Sequence, residues 1–259
     1  MRQTIKILFK YRWEGLRSSL KLLMGRISFL KFKNDKSIVI YIPKYKQSIY
    51  LRRHTSDYST FKQIFVRNEY EVDFDFIPNV IVDAGANIGL AAVYFSNRYP
   101  SAKIYSIEPE ESNLSILEDN LSLYLNVKKL PFALHHSAGF SLEVLDYGLG
   151  NYGFITKEKS QVSDSSKVLK TVDTISIEEL MRNNHIDIID ICKIDIEGAE
   201  KPLFEKNYEY WLPRTRCVIV EFHDRWYPGC KDTVMKAINN YDFTFYIKGE
   251  NYIFLNNSL

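Results

Sequence analysis

Two runs of charge close segments that are otherwise apolar. In Lys193-Ile194-Asp195-Ile196-Glu197, a strand-like run ends with Lys193, Asp195 and Glu197 directed to one side. In Val218-Ile219-Val220-Glu221-Phe222-His223, a second run ends with Glu221 and His223 on one side of the pleat. Such charges are costly to bury unless they are paired or functional. If the two strands are neighbours, Lys193, Asp195, Glu221 and His223 converge as a titratable cluster able to move a proton to or from an acceptor group. The purely structural alternative is a Lys193 to glutamate ion pair that locks two strands, with His223 as a helix cap or core residue. The other histidines, His54, His135, His136 and His185, have no comparable setting.

A third constellation is Asp83-Ala84-Gly85-Ala86-Asn87-Ile88-Gly89. Gly85 and Gly89 remove Cβ atoms where backbone passes close to a ligand, and the run hands over to a helix N-terminus whose N–H groups favour a carboxylate. Taken alone it could be a plain turn. However, Glu108 ends the next apolar run, KIYSIE, 25 residues beyond Asp83, where a carboxylate can accept both hydroxyls of a ribose. Strand, glycine loop, helix, strand and terminal acid in this order indicate a nucleoside-containing cofactor. A dinucleotide site wants Gly-x-Gly-x-x-Gly so that a pyrophosphate can approach, and here Asn87 takes the second glycine's place. S-adenosylmethionine, with Asp83 near its ammonium, is therefore expected over NAD.

The elements that must position these groups are legible as alternating periods. From Asn79 onward come NVIVDA, a helix over 89–97, KIYSIE, a helix over 111–124, and VKKLPFAL. This βαβαβ order implies a parallel sheet with right-handed crossovers. Residues 137–171, with Gly139, Gly148, Gly150, Gly153 and the polar run SQVSDSSK, break the alternation and read as an inserted loop or hairpin near the substrate. Helix and strand then resume through SIEELMRNN, IIDICKIDIE, a helix over 199–205, RCVIVEFH and a helix over 231–239. DFTFYIKG and NYIFLNN close the chain as an antiparallel hairpin at the sheet's edge. In a doubly wound sheet of this kind, ligands bind beyond the carboxyl ends of the strands where strand order reverses.

Composition is that of a folded globular protein, 46% hydrophobic and 25% charged, with 18 Tyr and 16 Phe supplying large core and pocket surfaces. Residues 1–53 hold 14 Lys and Arg against two acids, a balance of +12 that leaves −10 for the remainder of a chain of net charge +2. This basic extension, residues 1–53, is set apart from a catalytic domain over 54–259. Within it, Ile5, Leu8, Phe9, Leu16, Leu20, Leu23 and Ile27 recur at helical spacing among lysines and arginines, and SIVIYI and QSIYLRR flank Pro43 as a hairpin. The amphipathic helix either caps the domain or contacts an anionic lipid or glycan carrier. Cys192, Cys217 and Cys230 match no zinc spacing and read as core thiols of a reducing compartment. With no apolar stretch near the roughly 20 residues a bilayer needs, the expected location is cytoplasmic, with peripheral membrane contact as an option. No nucleic-acid partner is expected.

IVDAGANIGLAAVYFS, YSIEPEESNLSILEDN and KIDIEGAE together resemble the successive hallmarks of the FkbM family of methyltransferases, and RRHTSDYSTFKQIFVRNEY (residues 52–70) is similar to the family's preceding segment. The resemblance runs from Arg52 to the final hairpin and excludes the basic helix. It implies a class I, Rossmann-like fold: α/β, doubly wound, with a mostly parallel seven-stranded sheet. It also implies that Asp83, Gly85, Asn87 and Gly89 hold the methionine moiety, Glu108 the ribose and Ala133 in LPFAL the adenine edge, with Asp57 and Tyr70 closing the pocket. The expected activity is methyl transfer from S-adenosylmethionine to a hydroxyl, of a sugar in a cell-surface glycan or of a secondary metabolite. Asp195, Glu221 and His223 either act directly on that hydroxyl, with Lys193 stabilising the alkoxide, or hold a divalent cation such as magnesium. An NAD-dependent sugar oxidoreductase and a non-catalytic membrane-associated module are the alternatives, and the first should carry the third-glycine pattern that the loop after Asp83 lacks.

Overall fold

The computed structural model describes residues 29–32, 37–146, 154–157, 167–225 and 227–259. The basic amphipathic helix expected over 5–27 lies outside the described residues, as do Gly148, Gly150, Gly153 and nearly all of SQVSDSSK. The chain divides into two compact units, Met1–Leu51 and Arg52–Leu259.

In the first unit, β1 (Phe29–Phe32), β2 (Ser37–Ile42) and β3 (Gln47–Arg52) form a sheet in that order, β1 and β2 antiparallel. The expected hairpin is β2 and β3, joined by a 3-10 turn over Pro43–Tyr45 and by Lys46 at φ 52°. Ile40, Ile42, Ile49 and Leu51 alternate inward from the two strands and are buried.

The second unit is built on a seven-stranded sheet. Its central strands are β4 (Val80–Ala84), β5 (Lys103–Ile107), β6 (Val127–Leu130), β11 (Ile189–Ile194) and β12 (Thr215–Glu221), all mutually parallel, followed by the antiparallel hairpin of β13 (Phe243–Lys248) and β14 (Asn251–Asn256). The order is β13-β14-β12-β11-β4-β5-β6. Strands covered on both faces are mainly apolar; every residue of β11 is buried, and its two charges are paired, Asp190 accepting from Asn79 and Val80 N–H and Lys193 facing Asp83. Six helices are described: α1 (Asp57–Phe61), which runs into a π-turn over Lys62–Val66, α2 (Leu90–Arg98), α3 (Glu111–Leu121), α4 (Ile177–Asn183), α5 (Glu200–Glu205) and α6 (Cys230–Ile238). Side chains cap two of them, Glu110 accepting from Asn113 N–H and Ser176 from Glu179 N–H. This is the doubly wound, mostly parallel seven-stranded α/β sheet expected from the sequence, and its order reverses between β4 and β11.

Two expectations need correction. VKKLPFAL is not one strand: β6 ends at Leu130, and β7 (Ala133–Leu134) leaves the main sheet to pair in parallel with β10 (Lys167–Ile175). Pro131 lacks the N–H that a continuing ladder needs. The segment 137–171 is more than a lone loop or hairpin, because β8 (Ser141–Asp146) pairs antiparallel not only with β9 (Phe154–Lys157) but also with β10, giving a second, four-stranded sheet in the order β7-β10-β8-β9. Ala133, Leu142, Val144 and Val172 form its small core, an alternation that the density of glycines obscures in the sequence.

Candidate active site

The reversal between β4 and β11 opens two adjoining cavities at the carboxyl ends of the strands. A narrow cleft of about 60 Å³ is lined by Gly85, Asn87, Ile107, Glu108, Pro109, Asn113, Ala133, Leu134, Thr156, Asp195, Ile196 and Glu197. A chamber of about 390 Å³ lies beside it, and the two share Gly85, Asn87, Asp195 and Glu197.

The floor between them is fixed by backbone. Gly85 N–H and Ala86 N–H both donate to Ile107 C=O, tying the loop after β4 to the end of β5. A Cβ on Gly85 would stand 1.7 Å from the Asp195 carbonyl oxygen, and its φ is 72°. Only glycine lets β4 and β11 approach this closely at the point of reversal. Asn87 follows at φ 49°, and its N–H donates to Glu108 Oε2 at 2.8 Å. Glu108 Oε1 accepts from Glu110 N–H and Asn113 Nδ2, each at 3.0 Å. Burial pushes the Glu108 carboxyl up, opposed by these three donors.

Such an acid, facing a cleft walled by Ile107, Pro109, Ala133 and Leu134, fits an adenosine: the carboxylate suits ribose hydroxyls and the apolar wall a purine. Glycine and αL asparagine leave backbone bare beside it. Glu108, Gly85, Asn87 and Ala133 are thus brought together as the sequence implies. Gly89 is not among them, since it packs against Leu117 and Leu121 of α3, where a Cβ would meet side-chain atoms at 3.1–3.3 Å. Asp83 lies beneath the loop and lines neither cavity.

Lys193 is the penultimate residue of β11 and is 3% exposed. Its ammonium donates to the carbonyls of Gly85 at 2.7 Å and Ala84 at 3.1 Å, and lies 3.2 Å from Asp83 Oδ1 and 3.6 Å from Asp195 Oδ2. Burial alone would discharge it, but Asp83 and Asp195 hold it protonated above the ordinary lysine range. The ion pair anticipated between strands therefore exists, with Asp83 rather than a glutamate as the partner.

His223, just past β12, lines neither cavity. Nδ1 is 2.9 Å from Glu200 Oε1, while Nε2 faces Glu197 and Glu221 at 3.6 Å and Asp195 at 3.8 Å. Burial would lower its pKa, yet the Glu200 hydrogen bond and the surrounding acids raise it to about 10, so the ring is an imidazolium at neutral pH. The carboxylates in front shift the other way. Burial and the Asp195 charge push Glu221 up to about 8 and Glu197 up to about 7. One ligand atom each from Asp195, Glu197 and His223 lies within 4.8 Å of the others, a spacing that could hold a cation. Glu221 was the third member expected in such a set, and Glu197, at φ 53° in the turn after β11, stands in its place.

Several residues of the site were not singled out from the sequence. Glu200, fully buried, accepts from Ile196 N–H at 2.9 Å as well as facing His223, and so shapes the turn carrying Asp195 and Glu197. Arg52 grips Asp57 through its backbone N–H, Nε and Nη2 and reaches Asn87 Oδ1 at 3.4 Å. Asp57 is thus an anchor beneath the loop, whereas Tyr70 does line the chamber. The far wall comes from the β13–β14 turn. A Cβ on Gly249 would stand 2.4 Å from Glu69 Cδ, Asn251 Nδ2 lies 3.4 Å from Glu69 Oε2, and Gln63 Nε2 donates to Glu250 Oε2 at 2.6 Å. Glu200 closes KIDIEGAE and Arg52, Gln63 and Glu69 lie in the segment 52–70, whereas Gly249, Glu250 and Asn251 lie in no motif with a recognisable spacing and reach the site only through the fold.

Residues 83–247 match the profile of the methyltransferase FkbM domain. The chain is 29% identical over 188 residues to the methyltransferase sdnD of Sordaria araneosa, covering 62% of this chain and 73% of that protein. It is 23% identical over 193 residues to the 31-O-demethyl-FK506 methyltransferase FkbM of Streptomyces tacrolimicus, covering 64% and 73%. A solved structure of a methyltransferase FkbM from Methylobacillus flagellatus KT aligns with a TM-score of 0.47 at 14% identity, covering 70% of this chain and 44% of that one.

Proposed function

Since the chain belongs to the FkbM family of S-adenosylmethionine-dependent methyltransferases, we propose that it transfers the methyl group to a hydroxyl of an acceptor seated in the chamber, a sugar of a glycan or a hydroxylated secondary metabolite. Family membership decides against the nicotinamide alternative. The observation that carries the reading is the position of Asp195, which lines both the cleft and the chamber where they meet.

In this reading Glu108 takes the ribose hydroxyls, Ala133 and its apolar neighbours the adenine, and the loop from Gly85 to Asn87 the methionine end, with S-adenosylmethionine supplying the electrophilic methyl. Asp83 pairs with Lys193, whose ammonium fixes the loop carbonyls of Ala84 and Gly85 and, as Lys193 also lines the chamber beside Asp195, stabilises the alkoxide formed there. Asp195 orients the acceptor hydroxyl. Glu221, raised into the neutral range, is the base that receives its proton. His223, already protonated, stands behind Asp195, Glu197 and Glu221 as a fixed positive charge that keeps them in place, and Glu200 fixes its ring. An alcohol needs such help to lose its proton far more than a neutral amine does, which favours O-methylation. The name of the Streptomyces relative also specifies an O-demethyl substrate.

A second reading has a specific observation behind it: Asp195, Glu197 and His223 could ligate a divalent cation that lowers the hydroxyl's pKa. A mixed imidazole and carboxylate set suits manganese or zinc better than magnesium. Labelled S-adenosylmethionine with a panel of cell-surface glycans and hydroxylated metabolites tests the acceptor class, and transfer only to amines or thiols would overturn it. Activity lost to a chelator and restored by one metal would select the second reading.

A further inference from the structure

The seven-stranded sheet ends at β13, whose outer edge no described strand pairs with. Thr244 to Ile247 are exposed, with Phe245 at 49%, Tyr246 at 40% and Ile247 at 55%. Edge strands are normally blunted by charge, proline or a bulge, because their backbone groups template pairing with another chain. FTFYIK has none of these before its last residue. The turn to β14 contains only Gly249 and Glu250, so Lys248 and Asn251 form the hydrogen-bonded pair that closes the hairpin. Alternation then commits the backbone groups of Lys248, Tyr246 and Thr244 to β14 and turns those of Phe243, Phe245 and Ile247 outward.

We propose that β13 pairs antiparallel with β13 of a second copy of this chain, about a two-fold axis at Phe245. Centred there, Phe245 meets the partner's Phe245 as a hydrogen-bonded pair, and each Ile247 N–H faces the free C=O of the partner's Phe243, whose own N–H stays with Tyr241 C=O. Thr244 lies opposite the partner's Tyr246, and Asp242 opposite the partner's Lys248. Every pair off the axis occurs twice, so two opposite-charge pairs bracket the apolar centre. The other outward-facing centres lose this match: centring on Ile247 sets Lys248 against Tyr246, and centring on Phe243 sets Asp242 against Thr244. Asp242 is exposed while one of its oxygens accepts from Asn257 Nδ2, and Lys248 donates one of its three ammonium hydrogens to the Glu71 carbonyl, so both keep capacity for a partner. A two-fold pairing also closes on itself, removing the edge where an open arrangement would grow.

The test is the mass of the full chain in solution by sedimentation, with amide exchange as a second readout. The wild type is expected to be a dimer whose Phe245 and Ile247 amides lose protection on dilution. Phe245→Lys, which sets like charges across the axis, should give a monomer that still binds S-adenosylmethionine. Asp242→Lys should weaken association by roughly tenfold, since two cross-strand pairs turn repulsive. The double variant Asp242→Lys/Lys248→Asp should restore it, which a merely structural effect of either substitution would not do. A monomeric wild type, a dimer indifferent to Phe245→Lys, or no rescue by the double variant would overturn the proposal. So would protection at these amides independent of concentration, which would mean that the chain's own N-terminal segment covers the edge.

Discussion

Asp195 stands where the cleft and the chamber meet, and its proposed role separates binding from chemistry. Asp195→Asn should bind S-adenosylmethionine nearly normally yet lose about 10²-fold or more in turnover, because positioned proton handling contributes about that much. Near wild-type turnover would remove Asp195 from the reaction. Glu221 sets a direction for pH: a base raised to about 8 is increasingly deprotonated as pH climbs toward that value. Turnover should therefore rise over that interval, and Glu221→Gln should abolish the ascending limb while lowering the rate. Glu108→Ala should weaken S-adenosylmethionine binding, measured by calorimetry, by about 1 to 3 kcal/mol, the usual cost of leaving hydroxyls without a charged acceptor. Unchanged affinity would place the ribose elsewhere. These acids were legible in the sequence because each ends an apolar strand, where charge is conspicuous. His223 was equally conspicuous, but its charge state was not, since Glu200 lies 23 residues away and becomes its partner only through tertiary packing, in which α5 lies against α6.

At the scale of elements, the reversal of strand order depends on one residue without a side chain. Gly85→Ala would drive a Cβ into the Asp195 carbonyl at a positive φ, costing at least about 1 to 3 kcal/mol for the backbone conformation alone. A drop in Tm together with lost cofactor binding is expected; a variant that melts and binds as wild type would show that β4 and β11 part easily. Gly89→Ala meets only the ends of Leu117 and Leu121, so its damage should come chiefly from φ 84°. The parallel core was readable from period alone, as β4, β5, β11 and β12 are short, branched and unbroken. The second sheet was not, because β7 has only two residues and pairs with β10, some forty positions later in the chain. Nothing local in Ala133 and Leu134 announces that partner.

For the whole molecule, the division of charge is the feature with the clearest physical consequence. No helix among the described residues is long and apolar enough to cross a membrane. Residues 1–53 nonetheless carry +12 against −10 for the rest, and basic residues near an anionic bilayer contribute about 1 kcal/mol each before screening. The full chain should sediment with phosphatidylglycerol vesicles at low salt and release as salt shortens the Debye length from about 30 Å toward 8 Å. Equal recovery with neutral vesicles would leave the basic segment without an anionic partner. The turn at Gly249 and Glu250 has a consequence of a different kind. It joins the outermost strand of the sheet to the wall of the chamber, and Gly249 rests directly on Glu69. Whatever restrains β13 therefore also restrains Glu250 and Asn251, so a variant that loosens the hairpin should raise the KM for acceptor before it alters the affinity for S-adenosylmethionine, whose cleft lies on the opposite side of Asp195.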